Sequence, residues 1–341
     1  MNSVQSIDKS ITVRALLSSL GITELLNSGV TEVAINKPNE IWYEINGAWM
    51  RQDSKINQQS FLQLANALAI YNNKEVNKEH PICSVTLPDG ERGWIIMPPA
   101  CAPFNCSLTI RKPSSNRFSI DDYQNSGRFS KTIISRKKLV LEEWQIEIQE
   151  AIEANDFRKV CELAVEHKLN VVCGGGTGSG KTTFMKAMVD LYPSNLRYIT
   201  IEDTLELDLP NHPNHVRLVY RDGSNVTPKR LIESCMRMKP DHVFLTEIKG
   251  DEAWGYLELL NTGHRGSITS AHFNDARSCH NRLADLVKQS PIGMSLDYHF
   301  ILETVQKTID LVLFWEGTYL KEVFYNPEGQ LRILKGESYD G

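Results

Sequence analysis

Hydrophobic positions in the first hundred residues change from a helical spacing to an extended one. The helical set, which predicts one apolar helix face, comprises Val13, Leu16, Leu17 and Leu20. Apolar side chains then alternate over 33–35 and 41–45, which predicts strands, and Asn46-Gly47 is a strong hairpin-turn signal. A second hairpin is predicted over 84–97 and a further strand over 107–110. Residues 1–113 are therefore predicted to form a mixed α/β domain with antiparallel strands.

The segment that follows lacks sustained periodicity. Residues 111–138 are rich in Ser and contain eight Lys or Arg against two Asp, a composition that is typical of a linker. We assign residues 114–138 to this linker. Its positive charge permits a second interpretation, in which the segment is a basic surface for phosphate or anionic lipid. A solvated connector without a specific ligand is the simpler interpretation.

From residue 139 to residue 341 the pattern alternates between helix and strand. The predicted strands are 169–173, 197–203, 242–248 and 267–271, and the predicted helices are 142–154, 157–167, the segment after 180, the segment opened by Thr227-Pro228, and 251–262. Alternation of this kind predicts a parallel sheet with helices on its faces. From Ile309 onward we expect a meander with turns at Gly317 and over 326–329.

Composition and charge narrow the class of protein. The chain has 341 residues, 41% hydrophobic and 23% charged, with a net charge of −5, which predicts a folded protein of two domains. It has no apolar run of the about 18–20 residues that a membrane span needs and no signal-peptide pattern, so we expect neither an integral membrane protein nor a secreted one. The mildly acidic balance disfavours a general nucleic-acid binder. Seven cysteines without CxxC spacing predict buried free thiols in a reducing cytoplasm.

A glycine-rich loop carries the most specific chemical signal. Residues 175–182 (GGTGSGKT) match GxxxxGK[ST], with an apolar strand before the loop and a helix after it. In such a loop the backbone amides turn inward around phosphates, and the helix N-terminus adds partial positive charge. Lys181 is the expected cation for the β- and γ-phosphates, and the Thr182 hydroxyl is the expected Mg²⁺ ligand. The predicted nucleotide-binding residues are Gly176, Thr177, Gly178, Ser179, Gly180, Lys181, Thr182 and Thr183.

Acidic residues end two of the predicted strands. Glu202 and Asp203 close strand 197–203, and Glu247 lies near the end of strand 242–248. Ligands of open parallel sheets bind at the carboxyl ends of the strands, so we expect all three acids to face the phosphates. The alternative is an ordinary surface charge at a strand end, which we expect for Glu206.

One histidine has a comparable placement. His272 follows the short strand 267–271 at its carboxyl end, where an imidazole would be able to sense the γ-phosphate. The alternative is a structural histidine at a strand–loop junction.

These motifs, taken in order, resemble those of the secretion ATPase superfamily. The loop, TIEDTLEL (200–207), KPDHVFLTEIKG (239–250) and GHRGSITSAH (263–272) are similar to its Walker A, Asp box, Walker B and His box. Within the superfamily, the chain resembles the small hexameric ATPase of type IV, conjugation-type secretion systems. It lacks the four-cysteine zinc motif of many type II secretion and pilus-extension ATPases. The N-terminal domain of the type IV branch is also similar to three segments of this chain: GVTEVAINKPNEIWYE, LPDGERGWIIMPPA and LTIRKPS. One departure is Lys249, where the family usually has arginine, so a bidentate contact from this position is not expected.

The resemblance implies a fold, an activity and partners. It implies a C-terminal RecA-like P-loop ATPase domain, hydrolysis of ATP with Mg²⁺, and a homohexameric ring that drives pilus assembly and transfer of DNA or protein substrates. The ring would lie in the cytoplasm, peripherally associated with the inner membrane, and would contact other secretion-channel ATPases and inner-membrane channel proteins. It would make no direct sequence-specific contact with nucleic acid.

The resemblance also implies catalytic roles. Glu202 would orient or deprotonate the attacking water, Glu247 would hold Mg²⁺ through water, and His272 would report the γ-phosphate to a neighbouring subunit. The N-terminal domain would supply an arginine to the nucleotide, with Arg111 as the first candidate and Arg92 as the second. Arg92 is equally explained as an exposed hairpin charge.

Other functions remain open at this point. A type II secretion or type IV pilus motor has the same motifs. A nucleic-acid motor of RecA type would require strong stimulation by DNA. A nucleotide-dependent assembly switch would bind ATP and turn it over too slowly to power transport.

Overall fold

A computed structural model of the chain describes residues 8–113, 117–133, 140–221 and 223–339. In the N-terminal segment, residues 8–113, six strands form one antiparallel sheet in the order β3-β2-β1-β6-β5-β4. Its elements are α1 (Ser10–Ser19), α2 (Ile22–Leu26), β1 (Glu32–Ile35), β2 (Glu40–Ile45), β3 (Ala48–Asp53), α3 (Gln58–Tyr71), β4 (Ile82–Thr86), β5 (Arg92–Ile96) and β6 (Ser107–Arg111). Both predicted hairpins and the antiparallel sheet are confirmed.

Helices α1 and α3 cover this sheet. Val13 and Leu17 of α1 and Leu64 and Leu68 of α3 are buried in the same apolar cluster, as the helical spacing of α1 predicts. The start of α3 is fixed by Asn57, whose side chain accepts a hydrogen bond from the backbone of Ser60. This helix is not among the elements predicted from the sequence.

The described part of the connector contains one short helix. Helix α4 (Ile120–Asn125) begins at Ser119, which exchanges hydrogen bonds with Asp122 in a capping box, and it has no buried residue. A capping box stabilises a helix turn locally, which explains why a helix forms where apolar periodicity is lacking. The predicted linker residues 114–116 and 134–138 lie outside the described residues, so its boundaries stay a prediction.

The C-terminal segment, residues 140–339, alternates helices with strands. Its elements are α5 (Glu143–Glu153), α6 (Phe157–Glu166), β7 (Val171–Gly175), α7 (Lys181–Val189), β8 (Tyr198–Glu202), β9 (His215–Val219), α8 (Pro228–Cys235), β10 (His242–Leu245), α9 (Glu252–Asn261), β11 (Ile268–Ala271), α10 (Cys279–Lys288), α11 (Pro291–Ser295), α12 (Tyr298–Thr308), β12 (Leu311–Glu316), β13 (Tyr319–Tyr325) and α13 (Pro327–Lys335). Its strands form two sets, β10-β8-β9 and β11-β7-β12-β13. Among the described pairings within these two sets, only β12 with β13 is antiparallel.

Helices lie on both faces of this parallel sheet, as predicted. Val171 and Cys173 of β7 pack in one apolar cluster with Met185 of α7, whereas Val172 packs in the opposite cluster with Leu257 of α9. A strand buried on both sides positions the loop at its carboxyl end rigidly. The two strand sets meet where the amide of Ile248, just past β10, donates to the carbonyl of Ser270 in β11 at 2.8 Å.

The chain end differs from the prediction. The turn at Gly317 is confirmed, because β12 and β13 form a hairpin around it. The second predicted turn, over 326–329, is instead the beginning of α13. The Asn326 side chain accepts a hydrogen bond from the Gly329 amide, and Pro327 occupies the first helical position, so residues that are typical of a turn initiate a helix here.

The N-terminal segment docks on the edge of the parallel sheet. Cys101 forms an antiparallel bridge with Leu218 of β9, the Ala102 amide donates to the Arg217 carbonyl, and the Val219 amide donates to the Ala100 carbonyl, both at 3.0 Å. Apolar residues from both segments share one buried cluster around this contact. The two segments are therefore joined by backbone hydrogen bonds as well as by side-chain packing.

Candidate functional site

The glycine-rich loop lies between β7 and α7, as the sequence predicts. Gly178 and Gly180 have φ values of 74° and 89°, in the left-handed region that favours glycine, and Lys181 is the first residue of α7. Beside the loop is a cavity of about 510 Å³, which we call the loop cavity. Six predicted loop residues line it with Thr183: Thr177, Gly178, Ser179, Gly180, Lys181 and Thr182. Gly176 contributes its carbonyl to the Lys181 contact instead.

The Lys181 ammonium group is folded back onto the loop. Its Nζ donates to the carbonyls of Gly175 and Gly176, each at 2.8 Å, and the residue is 8% exposed. Burial lowers the pKa of Lys181, and the Glu247 carboxylate opposes that shift. The two carbonyls thus accept hydrogen bonds that the ammonium group could otherwise donate to a ligand.

Two further features fit a bound nucleotide. The Ser179 hydroxyl is buried, and it has no hydrogen-bond partner among the described residues. At Gly175, which has a φ of 140°, an added Cβ would lie 2.2 Å from the Trp315 carbonyl oxygen and 2.7 Å from the Ser179 hydroxyl. The loop therefore has a polar group available for a ligand, and it has no room for larger side chains at its base.

Acids and His272 form a connected network in the loop cavity. Glu247 lies 2.9 Å from His272 Nε2 and 3.4 Å from Lys249 Nζ, and Lys249 also pairs with Asp203. His272 Nδ1 lies 2.8 Å from the Gly175 carbonyl. Both partners of the imidazole are acceptors, so only the doubly protonated ring donates to both of them. His272, Glu247 and Asp203 are thus brought together beside the loop.

The charge state of Asp203 follows from its partners. Burial raises its pKa, but the hydrogen bonds from Lys249 and from the Thr204 amide outweigh burial, and the net pKa is lowered. Burial would lower the pKa of Lys249, and the same ion pair raises it instead. The pair therefore stays fully charged at neutral pH, and Lys249 also lies within ion-pair distance of Glu247.

The oxygen atoms that line the loop cavity fit an Mg²⁺ ion that is coordinated jointly by the protein and by phosphates. The Thr182 hydroxyl and the carboxylates of Glu247 and Asp203 line the same cavity, and oxygen atoms are the ligands that Mg²⁺ prefers. Within the described ranges no group of three or more His, Cys, Asp or Glu side chains would hold a metal by itself. Mg²⁺ commonly keeps few protein ligands and takes the rest from phosphates and water.

Glu202 is not among the cavity residues, in contrast to the expectation that all three strand-end acids face the phosphates. Its side chain is 0% exposed and pairs with Arg217 at 2.9 Å. Arg217 belongs to β9, a strand that is not among the predicted elements. The Glu202 carboxylate is paired with this arginine and does not line the loop cavity. Glu206 is exposed, as expected of a surface charge, and it also lines the loop cavity.

Arg111 and Arg92 line a different cavity. This second cavity has about 310 Å³ and shares no residue with the loop cavity; Arg237 and Lys239 of the C-terminal segment also line it. Arg111 lies 3.7 Å from Glu32, and burial raises the pKa of Glu32 to about 7. The structure does not bring Arg111 to the glycine-rich loop of its own chain.

Several residues of this region have no clear signal in the sequence. Arg217 lies in an unpredicted strand, and Thr318 reaches the loop cavity from the β12–β13 turn, which is distant in sequence. The cysteines agree with their prediction, since all seven are buried and free. In the described ranges no helix is long and apolar enough to cross a membrane.

Comparison with known proteins gives one consistent result. The family described as Type II/IV secretion system protein matches residues 17–313. The type IV secretion system protein VirB11 of Brucella suis is 36% identical over 312 residues, which cover 87% of this chain and 86% of that protein. The protein VirB11 of Agrobacterium fabrum is 34% identical over 83% of each chain.

A solved structure agrees with these relatives over nearly the whole chain. The VirB11 ATPase from the Brucella suis type IV secretion system, crystallised in complex with sulphate, matches with a TM-score of 0.90 and 34% identity. The match covers 96% of this chain and 98% of that one. The chain therefore belongs to the Type II/IV secretion system protein family.

Proposed function

We propose that this chain binds ATP with Mg²⁺ in the loop cavity, that it hydrolyses the ATP, and that hydrolysis powers transfer through a type IV secretion system. The observation that carries the proposal is the glycine-rich loop, with Lys181 and a set of acids on one cavity. The names of the relatives, type IV secretion system protein VirB11 and VirB11 ATPase, support the assignment to that system.

We assign residues 1–113 to an N-terminal α/β domain, residues 114–138 to a linker, and residues 139–341 to a RecA-like P-loop ATPase domain. The antiparallel sheet up to Arg111 and the parallel sheet from Val171 support this division. The loop follows a central parallel strand, which is where phosphate-binding loops of such domains occur.

The loop residues bind the phosphates in this proposal. Backbone amides of residues 177–182 donate to phosphate oxygens, and Lys181 Nζ exchanges the carbonyls of Gly175 and Gly176 for the β- and γ-phosphates. Thr182 and Glu247 would hold Mg²⁺, the latter through water, and Mg²⁺ supplies charge neutralisation between the phosphates. His272 lies between Glu247 and the loop carbonyl, so the position of its ring depends on what the loop binds.

A carboxylate must also orient the attacking water. The family pattern selects Glu202 for this task, but its side chain is buried against Arg217. We therefore assign the task to Glu247, which lines the loop cavity and whose position is fixed by His272 and Lys249.

The test is the substitution Glu247→Gln. We expect the variant to bind a fluorescent ATP analogue and to lose hydrolysis about 100-fold or more, because the amide cannot take up a proton. Glu258→Gln, an exposed change on α9, should hydrolyse ATP like the wild type. A Glu247→Gln variant with normal turnover contradicts the assignment, and a wild type without ATP hydrolysis contradicts the proposed function.

We further propose a homohexameric ring in which Arg111 acts on phosphates held by a neighbouring copy. Arg111 is 74% exposed, and it lines a cavity separate from the loop cavity of its own chain. A ring of head-to-tail contacts would place this basic cavity of one copy beside the loop of the next. The alternative is a closure of the N-terminal domain that brings Arg111 to its own loop.

Mixed oligomers distinguish these two arrangements. Lys181→Ala and Arg111→Ala should each be inactive alone. Co-expressed in equal amounts, they should recover roughly a quarter of the active sites if Arg111 acts on a neighbour, by random assortment around the ring. If Arg111 acts within its own chain, the mixture should recover no activity.

The proposed partners are other secretion-channel ATPases and inner-membrane channel proteins, with the ring at the cytoplasmic side of the inner membrane. The name of the Brucella suis relative, type IV secretion system protein VirB11, supports a place among the components of such a system. Because we propose a secretion motor and not a nucleic-acid motor, added DNA should not strongly stimulate hydrolysis. Strong stimulation by DNA would favour a nucleic-acid motor instead.

A further inference from the structure

The Glu202 carboxylate is enclosed by hydrogen-bond donors on all sides. Its Oε1 accepts from the Thr200 hydroxyl at 2.6 Å and from Arg217 Nε at 2.9 Å. Its Oε2 accepts from Arg217 Nη2 at 3.1 Å and from the backbone amides of Glu206 and Leu207, each at 2.8 Å. A carboxylate has about four lone-pair sites, so these five contacts leave none for an attacking water.

On one side this carboxylate holds the turn that carries two cavity acids. Asp203 and Glu206 line the loop cavity, and both belong to the turn that follows β8. The amides of Glu206 and Leu207 close this turn on Glu202. The position of the two cavity acids therefore depends on a buried side chain that does not itself reach the cavity.

On the other side the same carboxylate holds the strand that carries the N-terminal segment. Strand β9 pairs with β8 along one edge and with residues 100–102 along the other, where the Arg217 carbonyl accepts from the Ala102 amide. The Arg217 side chain makes a two-pronged ion pair with Glu202 and is 17% exposed. Bidentate pairs between arginine and carboxylate fix orientation as well as distance.

We propose that Glu202 is a positioning residue and that its pair with Arg217 couples the acid-bearing turn of the loop cavity to the docking of the N-terminal segment. A displacement of the turn by a ligand in the loop cavity shifts the Glu202 carboxylate. The rigid two-pronged pair transmits that shift to Arg217, and so to the strand on which residues 100–102 are hydrogen-bonded. This inference rests on the proposed ATPase function.

The kinetic test compares Glu202→Gln, Arg217→Met and the double variant. If the pair positions the turn, each single variant should lower kcat about 10- to 100-fold, since small displacements at an active site have effects of that size. The double variant should be no slower than the slower single one, because both remove the same link. Arg221→Met, an exposed arginine just past β9, is the matched control and should be normal.

Hydrogen exchange supplies a readout that catalysis does not influence. Without nucleotide, Glu202→Gln and Arg217→Met should each speed exchange at the amides of Leu207 and Ala102, which lie on opposite sides of the pair. Arg217→Lys, which keeps the charge but not the fork, should give an intermediate effect in exchange and in kcat. It also serves as the test variant if Arg217→Met does not fold.

Two results would overturn the inference. One is an Arg217→Met or Arg217→Lys variant that hydrolyses ATP normally while Glu202→Gln is inactive, which would make Glu202 the acid that acts on water. The other is unchanged exchange at Ala102 in both single variants, which would remove the link to the N-terminal segment. A wild type without hydrolysis would instead refute the proposed function, and the exchange result would still test the link.

Discussion

Arg197→Met should destabilise the junction between the N-terminal and C-terminal segments. Arg197 is fully buried, and its guanidinium donates to Asn36 at 2.9 Å, to Asn214 at 2.7 Å, to the Met238 carbonyl at 2.9 Å and to Thr109 at 3.3 Å. Burial lowers its pKa to about 10, so it is still charged at neutral pH. The guanidinium also lies 5.2 Å from the centre of the Trp49 ring.

The size of the effect follows from these contacts. Asn36, Thr109 and Trp49 belong to the N-terminal segment, so methionine severs three contacts across the junction together with two inside the C-terminal segment. Hydrogen bonds from a charged donor contribute about 1.5–3 kcal/mol each. Methionine also removes the desolvation cost of a buried cation, which is several kcal/mol. We therefore expect a net loss of about 2–4 kcal/mol in the free energy of unfolding.

Thermal unfolding measures this loss. For a protein of this size the expected fall in Tm is roughly 3–6 °C. The control is Arg237→Met, the same chemical change at an exposed arginine that lies 5.0 Å from the centre of the Trp94 ring, which should cost less than about 1 kcal/mol. Equal and small shifts for the two variants would refute the conclusion that Arg197 holds the two segments together.

Three further predictions concern the second cavity and the loop. Burial raises the pKa of Glu32 from 4.5 to about 7, so its contribution to stability is complete below about pH 4.5 and is lost as pH rises through 7. In chemical denaturation the stability of Glu32→Gln relative to the wild type should rise by about 2.5 kcal/mol between pH 5 and pH 8. A constant difference would contradict the shift. Gly175→Ala should lower Tm, because the added Cβ would lie 2.2 Å from the Trp315 carbonyl oxygen. Gly176→Ala should leave Tm unchanged, because among the described residues its added Cβ would have no atom beyond its chain neighbours within 4 Å. Equal Tm values for the two variants would contradict the steric argument. His272→Asn should retain ATP binding and lose hydrolysis in the same titration and turnover assay; normal turnover would exclude a role for the ring.

Local signals account for the elements that the sequence predicted well. Asn46-Gly47 defines the β2–β3 hairpin, and the apolar run before the glycine-rich loop defines β7. These signals lie within a few residues of the structure that they determine. The same holds for the loop itself, whose glycines and lysine are adjacent in sequence. The position of the loop between a strand and a helix therefore follows from the sequence alone.

The features that were missed depend on partners that are distant in sequence. Strand β9 is five residues long, and one edge of it is covered by residues 100–102, more than a hundred positions earlier. Because β9 is not predicted, the sequence gives no reason to expect Arg217 beside Glu202. The expectation that Glu202 faces the phosphates therefore rests only on the rule that ligands bind at the carboxyl ends of parallel strands. The location of Arg111 relative to the glycine-rich loop is unpredictable for the same reason, since the sequence does not define how the N-terminal segment packs on the parallel sheet.

The most direct test of the central claim, ATP hydrolysis at the glycine-rich loop, is the turnover of Lys181→Ala measured beside the wild type. Within the described part of the chain, the hydrogen bonds of the Lys181 ammonium group go to loop carbonyls alone, so the variant should fold and melt like the wild type. Lys186→Ala serves as the control: Lys186 lies on the same helix as Lys181, is half-exposed and pairs with Asp208 in the loop after β8. We predict wild-type hydrolysis for Lys186→Ala and a loss of about 100-fold or more for Lys181→Ala. Hydrolysis at the wild-type rate by a folded Lys181→Ala variant would contradict the account.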